Sequence, residues 1–105
     1  MTRSLDEFLG KTVYITYIIE EKEYSLIMNI IDIEDDTILI GNALCGKNRI
    51  YINNDCHFLF EYMDRIRLAS SKEKKLLQES IEKRKEFIEK WKDSHPNSWN
   101  KFWKY

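Results

Sequence analysis

The chain has little of what breaks regular structure: three glycines and one proline in 105 residues. Collagen-like and loop-dominated architectures are excluded by that scarcity. Soft metal ligands are equally few, with two cysteines, Cys45 and Cys56, and two histidines, His57 and His95. No Cys-x-x-Cys or His-x₃-His spacing joins them, so the usual zinc frameworks are not expected. No apolar run approaches the length of a membrane span, and Met1 to Phe8 contains no apolar signal core. The expectation is therefore a cytoplasmic protein with reduced thiols and no membrane association. A Gly-rich phosphate loop and a nucleophile elbow are both missing. Cys56 and His57 are adjacent, and neighbouring strand residues point to opposite faces, which works against a Cys–His nucleophile pair. Catalytic residues, cofactor and metal are thus not expected, and neither is enzymatic activity.

Hydrophobic residues make up 43% of the chain, enough for a packed core in a single domain. The net charge of −1 gives no global pull toward nucleic acid or an anionic membrane. The charge is nevertheless uneven. Residues 1–71 carry seven Lys or Arg against twelve Asp or Glu, and residues 72–105 carry ten against six. An acidic body is followed by a basic arm. No internal repeat or low-complexity tract is present.

The spacing predicts a short N-terminal helix, with Ser4 and Glu7 as a capping box and Gly10 as its stop. From Thr12 to Ile19 the period changes to two, in branched and aromatic residues, which predicts a strand. A polar turn at residues 20–23 leads to a second strand over 24–33, apolar on both faces. Such a strand suits a strongly bent element shared by the two sheets of a small barrel. Glu34 to Asp36 turn the chain into a third strand over 37–40, and 41–48 reads as a loop. A fourth strand is expected over 49–53 and, after a turn at Asn54-Asp55, a fifth over 56–62. Ser70 and Glu73 form a second capping box. It opens a helix to about Asp93 with Leu77, Ile81, Ile88 and Trp91 on one face, interrupted by Arg84. Pro96 requires that helix to have ended.

A short helix followed by five strands, the second long and bent, resembles the Sm-like and SH3-like small barrels. The residues that carry the resemblance run from Lys11 to Tyr17 and from Tyr24 to Ile40, then Cys45-Gly46 ahead of Ile50 to Ile52. The spacing is also similar to that of the YolD-like proteins of low-GC bacteria. The resemblance covers roughly residues 4–62 and implies an α+β protein. It would have a five-stranded antiparallel β-barrel over 1–69, a short N-terminal helix, and a long C-terminal helix with an aromatic tail over 70–105. Sm-like RNA sites resemble Asp-x-x-apolar-Asn in the strand turn, with a basic residue before the loop glycine. Here the turn runs Ile33 to Thr37 without Asn, and Cys45 occupies the basic position. RNA or single-strand binding is the second reading.

The first reading is a non-catalytic protein-binding module that acts by steric occupation of a partner. Ile/Lys/Asn-rich usage resembles a low-GC bacterium or its phage, and short compact chains of this kind resemble anti-CRISPR-like inhibitors of bacterial defence. Two residue sets are candidates for contact. The turn carboxylates Glu20, Glu21, Glu23, Glu34, Asp35 and Asp36 could face a basic groove on a nucleic-acid-binding host protein. Trp99, Phe102, Trp103 and Tyr105 could anchor a protein surface, since Trp and Tyr dominate interface hot spots. A third possibility is a homo-oligomer zipped through the apolar stripe of the C-terminal helix.

Overall fold

The computed structural model describes residues 5–94. A 3-10 turn at Leu5–Phe8 precedes strands β1 (Thr12–Ile19), β2 (Lys22–Glu34), β3 (Ile38–Cys45) and β4 (Arg49–Leu59). A second 3-10 turn at Phe60–Tyr62 then leads to β5 (Met63–Leu68) and helix α1 (Ser71–Ser94). The five strands form one antiparallel sheet in the order β4-β3-β2-β1-β5. The α+β class and the strand number agree with the sequence. The closed barrel does not follow, because β4 and β5 are the two edges of an open sheet. The N-terminal element is a single 3-10 turn, and Ser4, half of its expected capping box, lies outside the described residues.

Three tight turns hold the meander β1 to β4 together. Glu20 and Glu21, at φ 51° and 67°, make the two-residue connection between Ile19 and its partner Lys22. Positive φ at both central residues is the type I′ geometry whose twist matches that of the strands. Asp35 and Asp36 repeat it at φ 52° and 55°, with Thr37 N donating to Glu34 O at 3.1 Å. Gly46, at φ 66°, begins the loop to β4.

The expected fourth and fifth strands are one strand. Both halves of β4 pair with β3: Tyr51 opposes Ala43, and Cys56 opposes Gly41. Between them Asn53 and Asn54 take left-handed φ of 58° and 59°. The Asn-rich turn signal therefore marks a bulge, not a hairpin. Asn42 Oδ1 accepts from Asn54 N at 2.9 Å and pins the bulge to β3. Asn29 Oδ1 accepts from Asn42 N at 2.7 Å in the same chain of contacts. Here β2 and β3 approach so closely that a Cβ on Gly41 would lie 1.7 Å from Asn29 O. The segment read as a loop from Gly41 is therefore mostly strand.

β5 escapes the sequence pattern for a related reason. Tyr17 pairs with Met63 but Thr16 pairs with Arg65, so Asp64 is an extra residue in the ladder. Met63 and Ile66, three apart, both pack against the core, and the alternation that identifies a strand disappears.

The sheet buries both faces. On the concave face Val13, Ile15, Leu26, Met28, Ile30, Leu39, Ala43, Cys56 and Phe58 form one core, closed at one side by Phe8. On the other face Ile27, Leu44 and Ile52 meet Leu77 and Ile81 of α1, with Ala69 and a partly buried Ile88. The two-sided apolar character of β2 thus reflects a curled sheet with a helix on its back. Among the described residues no second sheet is involved. Ser70 caps α1 as expected: its Oγ accepts from Glu73 N at 3.2 Å, and its N–H donates to the Glu73 carboxylate at 2.8 Å.

Candidate functional site

Where the concave face opens beyond the hairpin β1–β2, it leaves a cleft of ≈ 370 Å³. Tyr17 forms its centre. Tyr17 stacks on its cross-strand partner Tyr24 with ring centroids 5.5 Å apart and meets Phe58 edge-on at 5.2 Å. Tyr51, Tyr62, Ile19 and Leu59 complete the aromatic and aliphatic walls, and Cys45 and Cys56 lie among them. Burial is the main cause holding the Tyr17 hydroxyl above its ordinary pKa. Three lining side chains of the cleft stay well exposed, Ile19 at 40%, Leu59 at 39% and Tyr62 at 42%, and so does Tyr24 at 44%, which stacks on Tyr17. Among the described residues no lysine or arginine lines the cleft, whose ionisable wall residues are Asp55, His57, the tyrosines and the two cysteines.

The candidate carboxylates divide into two groups. Glu20, Glu21 and Glu23 form the tip of the β1–β2 hairpin, next in sequence to Ile19 and Tyr24 of the opening. Glu34, Asp35 and Asp36 turn the chain at the opposite end of the thirteen-residue β2. One groove on a partner cannot be assumed to cover both. Trp99, Phe102, Trp103 and Tyr105 lie outside the described residues. The helix stripe is committed to the chain's own sheet, with Leu77 and Ile81 buried there. Leu76 and Phe87 are the large apolar side chains α1 leaves exposed.

A second concavity, ≈ 700 Å³, lies between the C-terminal half of α1 and β4. Ile50, Ile52 and Ile88 form its apolar part, and charges of both signs border it: Arg84, Lys85 and Lys92 with Asp55 and Glu89. This mixture selects neither an acidic nor a basic ligand. At the N-terminal end of α1, Arg67 spans two elements. It makes a bidentate pair with Glu73 at 2.8 and 2.9 Å and lies 4.3 Å from the centre of the Tyr14 ring. The Arg67 bonds are the largest cause holding the Glu73 carboxyl down at about 2. This network is structural, tying β5 to α1.

Cys45 and Cys56 are free cysteines that both line the cleft. The neighbouring Cys56 thiol, and then Arg49, hold the Cys45 thiol below its ordinary pKa, while Cys45 and burial push that of Cys56 up. Among the described residues no three His, Cys, Asp or Glu side chains gather as a metal site. No described helix is long and apolar enough to cross a membrane.

Sequence reasoning singled out the hairpin carboxylates but missed the cleft beside them. Its signal was present in Tyr17 and Tyr24, which flank the acidic turn symmetrically and must face each other once the turn closes. Tyr51 and Leu59 fall on two strands expected to be separate, and Tyr62 on the expected fifth strand where the structure has a 3-10 turn, so their gathering at one cleft was not legible. No known family model, curated protein or solved structure matches the chain.

Proposed function

We propose that the chain is a protein-binding module that docks through the aromatic cleft and its acidic hairpin, and acts by occupying its partner's surface. The supporting observation is the exposure of Ile19, Leu59 and Tyr62 in one cleft, with the exposed Tyr24 stacked on Tyr17 of its wall, beside Glu20, Glu21 and Glu23. Exposed apolar clusters rimmed by polar groups mark interaction sites. Rigid tyrosines supply contact area at low entropic cost. The partner that fits is a protein presenting an apolar side chain ringed by lysine or arginine. The apolar contact would give residence time, and the carboxylates would give orientation and association rate. A basic host protein that handles nucleic acid has this chemistry. Inhibition of bacterial defence by a phage or mobile-element product is the setting we assign, on composition alone. Nucleic acid itself is the poorer ligand, because phosphates approaching the cleft meet Asp55 and the nearby hairpin glutamates and, among the described residues, no lining lysine or arginine.

The experiment is affinity capture from a low-GC bacterial lysate with the parent chain and two variants, followed by mass-spectrometric identification. Tyr24→Ala with Tyr62→Ala should weaken capture of one specific protein by at least about tenfold, the loss of a modest hot spot. Glu20→Lys, Glu21→Lys and Glu23→Lys together should slow association and reduce its salt dependence. Both should melt close to the parent, since these side chains are exposed. Retention of the same partner by both variants would refute the docking surface.

A further inference from the structure

We propose that the chain's own C-terminal residues, 95–105, seat their aromatic side chains in the concavity between α1 and β4. Its floor is apolar, built from Ile50 and Ile52 of β4 and Ile88 of α1. Ile50 and Ile88 are only partly buried there, so the described residues leave apolar surface uncovered. β4 is an edge of the sheet, and among the described residues no further strand shields that side. The volume is ≈ 700 Å³. Sites that enclose a drug-sized ligand measure roughly 300–1,000 Å³, so an indole and a phenyl ring fit within it.

The place where the chain leaves the fold selects the occupant. α1 ends at Ser94, and Glu89 and Lys92 near its end line the concavity. The next eleven residues hold four aromatics: Trp99, Phe102, Trp103 and Tyr105. Pro96 disfavours helical backbone at His95, so the chain turns off the helix beside the concavity. The five steps from Ser94 to Trp99 span up to roughly 16–18 Å. Ile88, six residues back, lies about 9 Å away along the helix axis. Trp99 therefore reaches the floor with slack for the reversal. Phe102 and Trp103 follow it at i+3 and i+4, the spacing that brings side chains onto one helical face. Each ring offers roughly 150–250 Å² for burial. So short a tether sets a local concentration on the order of millimolar, which favours the chain's own segment over a second copy. Tyr51 and Asp55 line both this concavity and the aromatic cleft, so the seated segment borders the docking opening. The tail aromatics then belong to the chain's own fold, apart from the partner surface.

This seat does not rest on the docking reading, because its test needs no partner. A photoreactive phenylalanine analogue is placed at Phe102 of the 105-residue chain. The purified, dilute protein is irradiated, digested and mapped by mass spectrometry. Cross-links within one chain to residues 50–55 or 84–92 are expected, with a yield unchanged on about tenfold dilution. Methyl NMR supplies a second reading, comparing the parent with a variant that carries Trp99→Ala, Phe102→Ala and Trp103→Ala together. Ring currents from the seated segment should displace the Ile50, Ile52 and Ile88 methyl signals of the parent from their positions in the variant. Those of Ile15 and Ile30, in the concave core, should coincide. Cross-links between chains that fade on dilution would assign the concavity to a second copy and overturn the proposal. Cross-links confined to the concave face, or none at all, overturn it too, as do Ile50, Ile52 and Ile88 signals that are the same in parent and variant.

Discussion

Replacing Glu73 by alanine should destabilise the protein far more than a surface substitution does. The Glu73 side chain is 19% exposed and serves two partners. It accepts from Ser70 N at 2.8 Å, closing the cap of α1, and it receives both terminal nitrogens of Arg67. Losing a cap costs about 1 kcal/mol. Arg67 is exposed, so solvent screens the bidentate pair and it adds only a minor further loss. A loss of about 1 kcal/mol corresponds to a fall in Tm of roughly 4–8 °C for a domain of this size. Circular dichroism melts at neutral pH measure it. Acid provides an independent readout. The carboxyl lies at about 2 in the folded chain against an ordinary 4.5. Its contribution is therefore complete above about pH 4.5 and is lost as pH falls toward 2. Parent and Glu73→Ala stabilities should converge across that window and stay parallel above it. Arg67→Ala in the Glu73→Ala background should cost less than in the parent, by about the energy of the pair. A Glu73→Ala variant within about 0.5 kcal/mol of the parent, the scatter expected of an indifferent surface change, or a gap that persists unchanged at low pH, would refute the reasoning.

Two further substitutions probe the sheet. Gly41→Ala should cost on the order of 3 kcal/mol or more, because the added Cβ lies 1.7 Å from the Asn29 backbone oxygen and no flexible side chain can yield; urea titration measures the loss. Glu20→Asn with Glu21→Gly should stabilise the protein by about 1 kcal/mol, since these types favour the type I′ turn that the glutamates adopt at φ 51° and 67°; a thermal melt checks it, and a lower Tm would show the turn geometry to be wrong.

The parts of the fold that were legible from sequence are those governed by local rules. The alternation from Thr12 to Ile19 and the Ser70/Glu73 box placed β1 and α1 within a residue or two. The Leu77/Ile81 stripe faces the core as its spacing requires. What failed depends on neighbours in space. Asn53-Asn54 carries the chemistry of a turn, and only its pairing with β3 on both sides reveals a bulge. Asp64 is extra only relative to Tyr17 on another strand. The same ambiguity hid the site. Glu20, Glu21 and Glu23 were identifiable as a polar turn, but the cleft beside them draws Tyr51, Cys56 and Leu59 from β4. Their direction depends on the misread bulge. The apolar content of β2 was read correctly, while its cause, a helix behind a curled sheet, needed the contacts of Ile27 with α1.

Site-specific photo-crosslinking tests most directly whether the chain meets its partner through the aromatic opening. A photoreactive phenylalanine analogue is placed at Tyr24, at Tyr62 and, as a control, at Phe87 on the helix, each in full-length protein added to host lysate. Adducts to one protein at Tyr24 and Tyr62, absent at Phe87 and lost when the hairpin glutamates are reversed, are the predicted result. Adducts at Phe87 alone, or adducts at the opening that ignore the charge reversal, would contradict it.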